Sequence, residues 1–89
     1  MFKELFKLAE SKITSDGKYL NFPDGSTTSI DSDSAVIMSN KDSDKIKVYS
    51  YGSKIILDTG SYDKEFKNIS ELVSYMNKNK MKYIGIDDV

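Results

Sequence analysis

Two serine and lysine pairs are the first candidates for chemistry. Ser15-Asp16-Gly17-Lys18 and Ser61-Tyr62-Asp63-Lys64 each set a lysine three residues after a serine, the spacing of a hydroxyl nucleophile and its amine base. With thirteen Ser and thirteen Lys in 89 residues, that spacing recurs by chance, and no further part of such a site accompanies either pair. Two acidic runs, Asp31-Ser32-Asp33 and Asp42-Ser43-Asp44, offer the oxygen ligands that Ca²⁺ and Mg²⁺ take. Neither continues into the glycine and distal glutamate of an EF-hand loop. They read as Asx turns in solvated loops, with no metal expected. The chain also has no His, Cys, Arg, Trp or Gln. Their absence removes the usual nucleophile and base pairs, most transition-metal ligands, and the guanidinium fork that grips carboxylates and phosphates. Binding is expected rather than catalysis, and no cofactor is expected.

The residues suited to binding are tyrosines, lysines and loop acids. Lys45, Lys47, Tyr49 and Tyr51 alternate along one face of a strand, with Lys54 extending the stripe. Aromatic rings interleaved with cations can stack bases and neutralise phosphates. Six tyrosines are many for a chain of this size without Trp, and Tyr suits surfaces that are apolar yet wettable. Tyr62 falls in a loop and Tyr75 off the apolar stripe of a helix, so both are candidate anchors for a protein partner, with Asp42 and Asp44 as neighbouring loop acids.

One segment carries a family likeness. Ile55-Ile56-Leu57-Asp58-Thr59-Gly60-Ser61 runs a strand of aliphatics into Asp-Thr-Gly-Ser and resembles the active-site loop of the aspartic peptidases. In that family such an aspartate pairs with a second, and the two hold one proton and activate water. The resemblance implies Asp58 as the catalytic carboxylate, Thr59 and Gly60 as its loop support, and Tyr83-Ile84-Gly85 as similar to the family's hydrophobic-hydrophobic-Gly segment. With a single Asp-Thr-Gly, it also implies a symmetric homodimer. The family needs a flap hairpin and several strands after this loop, whereas much of the sequence beyond Gly60 reads as a helix.

The elements that must position these residues follow from periodicity. Phe2, Leu5, Phe6, Ala9 and Ile13 recur at helical spacing, predicting an N-terminal amphipathic helix of about three turns that stops in Thr14-Ser15-Asp16-Gly17. The period then changes to two. Strands are expected at Lys18–Phe22, Ser26–Ile30, Ala35–Ser39, Lys45–Tyr51 and Lys54–Asp58, joined by Pro23-Asp24-Gly25, two acidic loops and the two-residue turn Gly52-Ser53. Asn68 with Glu71 three residues on predicts the capped start of a second helix. Met81–Ile86 reads as a last strand, and Asp87-Asp88-Val89 as a frayed tail.

Together these predict one domain over residues 1–89 of α+β class: an antiparallel meander of five to six strands, with an N-terminal and a C-terminal helix packed on one face. A net charge of −1 gives no whole-molecule attraction to nucleic acid or anionic membrane. The absence of cysteine fits a cytoplasmic protein, and neither a signal peptide nor a membrane span is legible. Basic charge carried wholly by Lys, with abundant Ile, Asn and Asp, fits AT-rich coding such as that of a low-GC bacterium or its phages. The expected function is a small non-enzymatic protein-binding module, monomeric or homodimeric. An inhibitor, immunity or accessory protein of phage or mobile-element type acting on a host protein would have this form. The alternative is a nucleic-acid-binding domain using the Lys/Tyr face, and the third reading is the homodimeric peptidase.

Overall fold

The computed structural model describes residues 12–88. Among them, eight strands and one helix follow one another: β1 (Thr14–Asp16), β2 (Tyr19–Asn21), β3 (Thr27–Ser29), β4 (Ser34–Ser39), β5 (Ile46–Tyr51), β6 (Lys54–Asp58), β7 (Asp63–Phe66), α1 (Ile69–Lys78) and β8 (Lys82–Asp88). The class is α+β with antiparallel pairing, as the sequence predicts. The strands form two sheets rather than one, ordered β1-β2-β3 and β7-β6-β5-β4-β8.

Local turn chemistry makes the hairpins. Gly17 and Gly52 take positive φ, +61° and +62°, at the first position of two-residue turns between Asp16 and Tyr19 and between Tyr51 and Lys54. Such turns demand a left-handed residue, which glycine supplies without a Cβ clash. Between β2 and β3, Pro23 presets the bend, the Gly25 N–H donates to the Phe22 carbonyl at 3.0 Å, and the Ser26 N–H donates to the Asp24 carboxylate at 2.8 Å.

Three expectations are corrected. Thr14–Asp16 is a strand, not the end of a helix; its three residues are exposed and polar, so hairpin pairing with β2 holds it rather than burial. Lys12 and Ile13 are not helical, residues 1–11 of the predicted first helix lie outside the described residues, and α1 is the helix observed among those described. Asp63–Phe66, not anticipated as a strand, is a charged edge strand paired with β6. Charge on an edge discourages further pairing and hides the strand from hydrophobic periodicity. Asp87 and Asp88 belong to β8, opposite Ala35 and Ser34, rather than to a frayed tail.

Both sheets and α1 share one core. Leu20, Phe22 and Ile30 meet Val36, Met38, Ile46, Val48, Ile55, Leu57 and Phe66, with Leu72, Met76 and Met81 closing over them. Alternation in β5 is as predicted, with Ile46 and Val48 fully buried and Lys47 and Tyr49 on the opposite face. That opposite face is not wholly polar, because Ala35, Ile37 and Ile56 lie on it and are buried there too. A backbone bond ties the sheets, from the Ser50 N–H of β5 to the carbonyl of Asp31, two residues beyond β3, at 2.9 Å; the Ile30 N–H, bonded to the Lys18 carbonyl at 3.1 Å, extends the pairing of β2 with β3.

The start of α1 is capped by Asn68, whose side-chain oxygen accepts the Glu71 N–H at 3.0 Å, while the Glu71 carboxylate accepts the Lys67 N–H at 3.0 Å. Its end is a Schellman motif. The Met81 N–H reaches the Met76 carbonyl at 3.0 Å and the Lys80 N–H the Asn77 carbonyl at 3.2 Å. The left-handed residue of that motif is Lys80, φ +52°, the one non-glycine with positive φ among those described. A side chain there costs roughly 1–2 kcal/mol that glycine would not. No helix among the described residues is long and apolar enough to cross a membrane.

Candidate functional site

Tyr62 and Tyr75, expected on separate elements, meet. The loop between β6 and β7 is closed by its own bonds: the Thr59 N–H donates to the Tyr62 carbonyl at 3.0 Å, and the Tyr62 N–H to the Thr59 hydroxyl at 3.2 Å. This holds Tyr62 at 56% exposure, with its hydroxyl 3.2 Å from that of Tyr75 on α1. Lys64 lies over the Tyr75 ring, 5.4 Å from its centroid, and the Phe66 ring is 5.4 Å from that of Tyr75 at 58°. The tilted aromatic pair and the ammonium above it are both attractive geometries. The hydroxyl bond to Tyr62, with some burial, raises the pKa of Tyr75. The result is an ordered surface of two phenols and a cation anchored on the core residue Phe66.

Asp58, the aspartate of the peptidase-like segment, stands at the same end of the molecule. Its carboxylate accepts the Gly60 N–H at 2.8 Å, an Asx turn. Its register partner across the hairpin is Asp63. The Asp58 charge raises the pKa of Asp63, with smaller contributions from desolvation and a hydrogen bond between the two side chains. A second carboxylate therefore does stand beside Asp58, but it comes from the same hairpin and is exposed to solvent.

The Lys/Tyr stripe lies on the five-stranded sheet, on the face away from the shared core. Tyr51 is 73% exposed, and Lys47 and Tyr49 are half-buried. Register places Lys47 opposite Asp58 and Ile37, and Tyr49 opposite Ile56, which in turn faces Glu65. Lys54 is paired with Glu65 at 3.1 Å. The face thus has an aliphatic and aromatic centre bordered by charges of both signs. Carboxylates beside each lysine oppose phosphate, whereas an apolar centre with a mixed polar rim is the anatomy of protein interfaces.

Asp42 and Asp44 are separated by the loop they share. The Asn40 side-chain oxygen accepts the N–H groups of both Asp42 and Ser43 at 2.9 Å, so an amide organises the loop. Asp42 borders a polar cavity with Lys41, while Asp44 and Lys45 border another depression beside Ile84 and Asp87.

Sequence reasoning missed a cavity of about 600 Å³ at the junction of α1 and β8. Asn77 helps to form it by exchanging two bonds with Ile13, accepting its N–H at 2.8 Å and donating to its carbonyl at 2.9 Å. Sixty-four residues separate the pair, and no local pattern signals such a clamp. Phe22 and Tyr83 stack at its side, with centroids 4.5 Å apart.

No protein-family model matches the chain, and no curated protein and no solved structure is significantly similar to it.

Proposed function

We propose that this chain is a small protein-binding module whose anchor is the Tyr62 and Tyr75 surface. The observation that carries this reading is the ordered pair itself, an exposed phenol held by a closed loop and by the hydroxyl of a second tyrosine, with Lys64 over the ring. Preordering matters because immobilising a free side chain on binding costs about 0.5–1.5 kcal/mol. A tyrosine already held loses less, and Tyr is among the residues that dominate interface energetics. The Lys/Tyr face supports the same reading, since Asp58 and Glu65 stand where a phosphate backbone would need cations.

The test is affinity capture by the tagged protein from lysate of its native host, with nuclease added to one half. A protein retained in stoichiometric amount in both halves is the expected result. Retention that vanishes with nuclease would overturn the reading and transfer it to nucleic acid.

A further inference from the structure

The cavity at the α1 and β8 junction combines an apolar floor with a cationic rim. Its floor is apolar, with Ile13, Phe22, Met76 and Met81 buried beneath it. Its rim carries Lys12, Lys80 and Lys82. A polar cavity of about 560 Å³ adjoins it, sharing Lys80 and Lys82 and adding Lys41 and Lys78. Among the described residues, five lysines, all exposed, thus surround one corner, with Asp24 and Asp42 the carboxylates of its walls. This is a local excess of positive charge on a chain whose total is −1. Among the described residues the ion pair is Lys54 with Glu65, elsewhere on the molecule.

Lys80 supplies an independent observation. It occupies the left-handed position of the Schellman motif, where glycine is favoured, and it lines both cavities. Strain kept at a position where a glycine would relieve it points to a use for the side chain.

We propose that this corner binds an acidic peptide segment, one apolar side chain entering the methionine-floored cavity while flanking carboxylates meet the lysines. The volume lies in the range of ligand-sized cavities, and Met side chains adapt to an entering apolar group. A peptide fits better than a nucleic acid on two counts. Phe22 and Tyr83 are stacked on each other, leaving no gap between them for a base. Asp24 and Asp42 oppose a continuous phosphodiester. The inference rests on the reading of the chain as a protein-binding module and adds a second surface with its own partner chemistry.

The experiment titrates the purified protein, by fluorescence anisotropy in dilute salt, into a labelled synthetic peptide of Asp and Glu flanking one Phe. A peptide with Ser in place of Phe and a single-stranded oligonucleotide of equal charge are run beside it. Binding of the Phe peptide is expected, weakened on the order of tenfold by Ser and progressively by salt. Lys80→Gly should weaken binding several-fold while raising the melting temperature, because glycine relieves the backbone strain. That opposed pair of effects separates a binding role from a structural one. No binding by the unaltered protein, equal binding of the Ser peptide, tighter binding of the oligonucleotide, or a Lys80→Gly protein that binds as well as its parent would each overturn the proposal. A partner still captured through Tyr62 alongside any of these results would leave the tyrosine surface standing without this one.

Discussion

Asp63 and Tyr75 each hold a proton more tightly than usual, for different reasons. The neighbouring Asp58 charge disfavours ionised Asp63, so its carboxyl titrates higher in the fold than in the unfolded chain. Its ionisation therefore removes stability as pH rises from the unfolded pKa through the folded one, and the deficit persists at neutral pH. Asp63→Asn should raise the melting temperature at neutral pH and have little effect where both forms are protonated. Thermal melts at the two pH values check this, and an equal gain at both would contradict a charge origin. Tyr75 is raised chiefly by its bond to the Tyr62 hydroxyl. Tyr62→Phe should accordingly remove one phenol from an ultraviolet titration and shift another toward its ordinary pKa, and a curve altered only by the loss of one phenol would mean that the hydroxyl pair is not formed in solution.

Helix α1 connects the tyrosine surface to the lysine corner, presenting Tyr75 on one side and Met76 and Asn77 toward the other cavity. Its cap is local, and Asn68→Ala should cost about 1 kcal/mol in urea unfolding; a change near zero would show the cap to be dispensable. This part of the fold was legible in sequence because Asn68, Glu71 and the Ile69, Leu72, Val73, Met76 stripe lie within one short segment. The strands from Ala35 to Asp58 were legible for the same reason, by alternation and by Gly52. The elements that escaped, β1 and β7, are polar and rest on pairing with a neighbour. Tyr62 and Tyr75 were legible as candidates from residue type and position, but their meeting was not, since it depends on where β7 lies. The lysine corner was hidden altogether, because Lys12, Lys41 and Lys80 converge only through tertiary contacts such as the Asn77 and Ile13 clamp.

At the scale of the whole molecule, the two sheets and α1 share one core. Leu20 from the small sheet is as fully buried as Val48 from the large one. Leu20→Ala should cost about 2–5 kcal/mol, a large share of the stability of about 5–15 kcal/mol usual for such domains. Hydrogen exchange should quicken in β5 as much as in β2, and loosening confined to β2 would show that the sheets unfold separately. On this scaffold the tyrosine surface is preformed by its own hydrogen bonds. The most direct test of its role is the affinity for the captured partner of the Tyr62→Ala variant, a change at an exposed side chain outside the core. The account predicts binding weakened roughly 30-fold, the loss of a 2 kcal/mol anchor, with an unchanged circular dichroism spectrum. Undiminished affinity in a folded Tyr62→Ala protein would contradict it.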